Sequence, residues 1–156
     1  MTVRDIAPVF EYTENVTEQM ARDMAGRLSP LDLREVKAAG NTPQVAIVDG
    51  VNASAECWAY LKSGRPFVIA GVRAPGLIWM LSARDLKEKS ATMFFARRAK
   101  LDLEARLQRW EVLGNIMWEK NKHHRRLLGW LGFEFGRSVE VNGHDFVTFR
   151  KGRANV

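Results

Sequence analysis

Three histidines, one cysteine and scattered serines and carboxylates are the side chains here with catalytic reach. His123 and His124 are adjacent, but no Cys or carboxylate set at metal-ligand spacing accompanies them. His124 instead heads the series His124, Leu127, Leu128, Leu131, spaced i, i+3, i+4, i+7, so it reads as an imidazole packed on the apolar face of a helix. His144, beside Asp145, and Glu119, after an apolar run, are each a candidate general base for an amine if the fold turns them into a cleft. Ser54, Ser63 and Ser82 lack the Gly-x-Ser-x-Gly turn that exposes a nucleophile, which excludes that hydrolase chemistry. Neither Gly-x-x-x-x-Gly-Lys-Ser/Thr nor Gly-x-Gly-x-x-Gly occurs, so the nucleotide-binding folds built on them are excluded as well. Cys57, next to Trp58, reads as core; alone it can neither staple the fold nor hold a metal, as fits a reducing compartment.

The elements that must position these groups come from a chain of ordinary globular composition. It has 156 residues, 46% hydrophobic and 27% charged, enough for one domain. No apolar run approaches the roughly 18–20 residues of a spanning helix, and the first residues have no apolar signal segment. Twenty-four basic against 18 acidic residues leave a net charge of +6, which permits an anionic partner without requiring one.

Val9–Tyr12 reads as a short strand. Met20, Met24 and Leu28 share a helical face, and Ser29-Pro30 opens a second helix with Asp32 as the capping-box partner, ended by Gly40. Thr42-Pro43 repeats the cap-then-proline pattern, so residues 43 onward are expected to be helical despite their β-branched content. Glu56–Lys62, Phe67–Val72 and Leu77–Leu81 read as strands, the first two joined by Ser63-Gly64. A long helix within 84–110 carries the stripe Phe95, Ala99, Leu103, Leu107, Trp110. Val112–Trp118 is a strand, Lys122–Leu131 a helix, and Phe133–Val141 and His144–Arg150 form a hairpin about Asn142-Gly143. Lys151 onward reads as a loose basic tail, the domain closing at residue 152 and 153–156 lying beyond it. The order β-αα-(α)-β-β-β-α-β-α-β-β implies an α/β mixed sheet with a central parallel pair, because the crossover around 77–118 is too long for a hairpin.

That order resembles the GNAT acyltransferase fold. The local match is best at Asn121-Lys122-His123-His124-Arg125-Arg126-Leu127-Leu128-Gly129-Trp130-Leu131-Gly132-Phe133, similar to the family's Asn-led helix ending in Leu-Gly-Phe. Over roughly residues 40 to 152 there is a narrower resemblance, to the short GNAT-like proteins of podophages, including the T7-type internal virion protein. It is carried by Leu113–Trp118, Asn121, Arg126–Gly132, Asn142-Gly143 and Thr148–Gly152.

The resemblance implies acetyl-CoA as acyl donor and a cleft where the strands ending near Ser82 and Trp118 splay. There a backbone N–H near Leu81 would hold the thioester carbonyl, and Glu119 or His144 could serve as base if it lines that cleft. The family's glycine-rich phosphate loop corresponds to Ser82–Ser90, which has no glycine. Phosphate recognition then falls to the side chains of Arg84, Lys87 and Lys89. Asn121 either caps its own helix or touches the coenzyme arm. Many family members place an acidic Tyr seven residues after that Asn, where this chain has Leu128.

Two functions therefore compete. One is an acyl-CoA-dependent N-acyltransferase. The other is a non-enzymatic protein of the virion or of host takeover, binding an acidic protein or nucleic acid through its basic clusters (Arg97-Arg98, Lys120–Arg126, Arg150–Arg153). The tryptophans among those clusters, Trp110, Trp118 and Trp130, have core-like spacings. The podophage resemblance implies the cytoplasm of an infected bacterial host, or the virion itself.

Overall fold

The computed structural model describes residues 7–153. The elements are β1 (Phe10–Thr13), α1 (Glu18–Ala25), α2 (Pro30–Ala38), α3 (Pro43–Ala53), β2 (Glu56–Lys62), β3 (Arg65–Arg73), β4 (Leu77–Ser82), α4 (Lys89–Trp110), β5 (Val112–Trp118), α5 (Lys122–Trp130), β6 (Glu134–Val141) and β7 (His144–Gly152). A 3-10 turn over Arg84–Lys87 leads into α4. This is the α/β order expected from the sequence. Among the described residues no helix is long and apolar enough to cross a membrane.

Local chemistry sets most boundaries. The hydroxyls of Thr17 and Thr42 accept the N–H groups of Met20 and Val45, and Pro43 sits in the first turn of α3, so capping overrides its β-branched content. The β2–β3 and β6–β7 hairpins turn through two residues of positive φ, Ser63-Gly64 and Asn142-Gly143.

The seven strands lie in the order β1-β2-β3-β4-β5-β7-β6, antiparallel except for the parallel β4/β5 pair. Tyr60, Val68 and Ser82 stand opposite one another and share a face; Tyr60 donates to Asp102 of α4. Trp79, an odd number of residues from Ser82, is on the other face and donates to Ser54 at the end of α3. Helices therefore cover both faces, and β3 between them is buried from Pro66 to Val72.

The β4/β5 pair is the parallel contact of the sheet. The two strands are in register only at Leu77 and Gly114, where the Gly114 N–H donates to Gly76 O at 3.0 Å. Gly76 has φ 140°, and a Cβ there would collide with the carbonyl of Val112, so glycine is what lets the strands approach. Past Asn115, whose side chain donates to Ile78 O at 3.0 Å, the pair opens into a wedge.

Several expectations are corrected. Lys151 and Gly152 are strand residues paired with Leu113 and Val112. Arg153 is not loose: its side chain donates to Leu107 O and Gln108 O, and its N–H to Glu111 O, satisfying carbonyls at the end of α4. Ser29 makes no side-chain cap, and Asp32 points into the sheet instead. Trp130 is 45% exposed, with the Lys100 ammonium 4.2 Å from its ring centroid, so the tryptophan spacing did not place it in the core. Nor are the charges of α4 all solvated, because Asp102 and Arg106 are buried.

Candidate functional site

Two carboxylates one helical turn apart on α2 enter the open end of the wedge. Asp32 Oδ2 accepts the backbone N–H of Ser82 at 2.8 Å and its hydroxyl at 2.9 Å, and Oδ1 accepts Asn121 Nδ2 at 2.9 Å. Glu35 Oε1 accepts the Trp118 N–H at 3.0 Å and Asn121 Nδ2 at 3.3 Å. Asn121 is fully buried and its Oδ1 caps α5 by accepting the His124 N–H at 3.2 Å. One polar hub thus ties α2, β4, β5 and α5 together. Both polar atoms of the Asn121 side chain are engaged within the protein, as a cap of α5 and a bridge between α2 and α5.

His124 sits at the edge of this hub, its side chain 9% exposed, with Nδ1 3.5 Å from Glu35 Oε2. That is ion-pair distance without hydrogen-bond alignment, and Nδ1 is a buried nitrogen with no hydrogen-bond partner among the described residues. Burial works against the imidazolium, but the Glu35 carboxylate beside the ring, with Asp32 behind it, outweighs burial and holds the pKa above the ordinary histidine value.

Two clefts flank the hub. The larger, about 730 Å³, lies between the end of β4, the start of α4 and the outer side of α5. Met80, Leu86, Phe95, Leu127 and Trp130 give it apolar walls, and Lys87, His123 and Arg126 supply its basic side chains. The smaller, about 400 Å³, opens toward α2 and α3 and carries Glu35, Asp49, Asn41 and Asn115 with Trp79, and Arg73 among its charged groups. Met80 and His124 line both clefts. A volume of this order with a few polar groups on apolar walls is typical of a small-molecule site.

The residues singled out from the sequence divide across this geometry. Lys87 lines the larger cleft; Arg84 and Lys89 are exposed nearby and do not. Ser82 lines it too, but its N–H and hydroxyl are committed to Asp32. The Ala83 N–H donates to Phe67 O of β3, whereas the Ser82 N–H points away from β3. Strand alternation then turns the Leu81 N–H toward β3 and the Met80 N–H into the wedge, one residue from the position expected. Glu119 is exposed at the end of β5, within 3.4 Å of the Ser138 hydroxyl, and lines neither cleft; β5 carries it past the wedge toward β6. His144, at the start of β7, lines neither cleft either. Leu128 is buried in the core cluster. Cys57 is half-buried, and burial pushes its thiol pKa up. No group of three or more His, Cys, Asp or Glu side chains is placed to hold a metal among the described residues.

The sequence reading missed Asp32 and Glu35 as site residues, and Met80 and Arg126. Asp32 and Glu35 carried one usable signal, two carboxylates at i, i+3 on a helix.

No protein-family model and no curated protein matches the sequence. Solved structures do match. The ribosomal-protein-S18-alanine N-acetyltransferase from Escherichia coli superposes with a TM-score of 0.63 at 10% identity, over 96% of each chain. An acetyltransferase of the GNAT family from Streptococcus pneumoniae gives 0.62 at 10% identity, over 94% of this chain and 100% of that one. The acetyltransferase AAC(6')-Ib, in complex with ribostamycin and coenzyme A, gives 0.61 at 16% identity, over 95% and 94%. The chain has the GNAT acetyltransferase fold. At these identities the likeness is one of fold, and it carries nothing of the podophage resemblance.

Proposed function

We propose that the protein is an acyltransferase that moves an acyl group from a coenzyme A thioester to a primary amine. The larger cleft takes the donor and the smaller one the acceptor. The observation that carries this reading is the meeting of the two clefts at Met80 and His124, above the open wedge of β4 and β5. GNAT-fold neighbours solved with coenzyme A support the choice of donor.

The residues of the larger cleft fit that donor by a side-chain route. Lys87 and Arg126 are placed to neutralise phosphate charge in the absence of a glycine loop. Met80, Phe95 and Leu127 wall the path inward for a flexible arm. When bound, the thioester supplies an acyl carbon already activated toward amines. The Met80 N–H, unused by the β3 ladder and facing the wedge, is the donor available to its carbonyl oxygen. Glu35 and Asp49 give the acceptor cleft an anionic character suited to an ammonium group. Holding both reactants at one junction supplies most of the acceleration expected from such a site.

Acetyl-CoA at a hundredfold excess over its dissociation constant should stabilise the protein by about 2.7 kcal/mol. For a chain of this length that raises Tm by roughly 5–11 °C in a thermal melt. No shift at millimolar acetyl-CoA would contradict the reading and return the scaffold to the interaction-protein class.

A further inference from the structure

His124 occupies an unusual position for a histidine of a helix first turn. It lies between the two clefts and contributes to the wall of each. Buried ring nitrogens are ordinarily hydrogen-bonded, yet Nδ1 of His124 is buried and has no such partner among the described residues. The group nearest in charge is Glu35 Oε2 at 3.5 Å. Glu35 cannot swing freely, because its other oxygen is held by the Trp118 N–H and Asn121 Nδ2. A carboxylate fixed on that side selects the tautomer with the proton on Nδ1 and leaves the Nε2 lone pair as the acceptor.

We propose that His124 is the catalytic acid–base of the transfer, serving both clefts, with Glu35 as the positioning residue that orients its ring; this rests on the acyl-transfer reading above. An ammonium acceptor loses one proton to Nε2. The nitrogen lone pair forms the C–N bond to the acyl carbon, and the C–S bond breaks with its electron pair on sulfur. The nitrogen releases its second proton to water, and the imidazolium returns the first to sulfur. Ammonium and thioester thus yield amide, thiol and one proton. A single group reaching both sides also accounts for Leu128 standing where a separate acid would be expected.

Glu35 and Asp32 of α2 are the charged groups that face His124. Phe149 of β7 meets the ring edge-on, Met80 of β4 and Phe95 of α4 line the same cavity, and the titratable group there, Tyr60 of β2, is kept protonated by burial and its bond to Asp102. On α5 itself, His123 and Arg126 share the larger cleft. Since His124 must be neutral to accept a proton, kcat/KM should fall as pH drops through its pKa, which the α2 carboxylates hold above the ordinary value. Glu35→Gln removes the nearer charge and should move that acid limb to lower pH.

The test follows thiol release from acetyl-CoA between pH 5.5 and 9 (a range chosen around the ordinary histidine pKa of about 6.5). Methoxyamine, spermidine and trialanine serve as acceptors, and acetyl-CoA binding is measured in parallel by calorimetry. His124→Gln should lower kcat about 10²–10⁴-fold and abolish the acid limb, with a far smaller change in the acetyl-CoA dissociation constant, since the ring only contributes to the cleft wall. His144→Gln, outside both clefts, should leave the profile as it is. Should His124→Gln fail to fold, the limb shift of Glu35→Gln and an NMR titration of the His124 ring in the native chain carry the test. A His124→Gln enzyme with the native rate and limb, or an unshifted limb in Glu35→Gln, would overturn the inference. So would acetyl-CoA binding without thiol release to any of the three acceptors. Absence of acetyl-CoA binding would instead overturn the acyl-transfer reading, and this inference with it.

Discussion

Arg106→Met is expected to destabilise the protein by about 3–5 kcal/mol, the usual loss when one partner of a buried ion pair is removed. Arg106 is 2% exposed on the inner face of α4. Its Nε donates to Glu56 Oε1 at 2.9 Å, and its Nη2 to the Tyr12 hydroxyl at 2.7 Å and Glu14 Oε1 at 3.1 Å. The guanidinium also lies 3.9 Å from the Trp58 ring centroid. One fork therefore ties the long helix to β1, β2 and the turn after β1. Without it, Glu56 keeps the Trp110 indole N–H at 2.9 Å and a 3.5 Å approach of the exposed Arg109, in surroundings that leave its side chain 16% exposed. At this chain length the loss corresponds to a Tm lower by roughly 6–20 °C in calorimetry. Lysine should rescue little, since a point charge cannot reach three acceptors in the plane of the fork. Adding Glu56→Gln should restore part of the loss by removing the stranded charge. A cost under about 1 kcal/mol, the range of surface pairs, would show that the cluster is solvated after all.

The second large effect concerns the donor cleft. Lys87→Ala with Arg126→Ala is expected to weaken acetyl-CoA binding about 10²–10⁴-fold. Each charge-assisted hydrogen bond contributes about 1.5–3 kcal/mol, and 1.4 kcal/mol is a factor of ten. Both side chains are exposed on the cleft and form no ion pair among the described residues, so unfolding curves should barely move. Added salt should weaken binding to the native chain and have less effect on the double variant. Arg84→Ala should change affinity far less, because Arg84 does not line the cleft. Calorimetric titration separates the two cases. Equal losses at Arg84 and at Arg126 would mean that phosphate lies outside the cleft, on the 3-10 turn.

The pattern of what the sequence revealed follows from the range of the interactions. Element order was legible because it is set locally: Thr17 and Thr42 cap, Pro43 opens α3, and Asn142-Gly143 turns the last hairpin. Lys87 lies on the larger cleft because it adjoins the start of α4, a boundary that is likewise local. Arg126 lines the same cleft from α5, and no local signal connects it to residues nearly forty positions earlier. Asp32 was misread because Ser29-Pro30-Leu31-Asp32 satisfies the spacing of a capping box. Only the packing of α2 against the wedge gives that carboxylate the N–H and hydroxyl of Ser82 instead. His124 was placed correctly as a packed imidazole, but its contact with two clefts depends on strands that meet at Gly76 and Gly114 and part beyond them. Arg106 escaped notice because a helix face wide enough to bury Leu103 and Leu107 also buries the charges between them when β1 and β2 offer partners.

Amide hydrogen exchange with and without acetyl-CoA tests the central claim most directly, because it reports both whether the donor binds and where. The wedge geometry predicts slowed exchange over residues 80–92 and in α5, Lys122–Trp130, with the β6 edge strand, Glu134–Val141, unchanged. Binding that slows exchange elsewhere and leaves both of those segments as they were would contradict the assignment of the larger cleft, and no change anywhere at millimolar acetyl-CoA would contradict the proposed function itself.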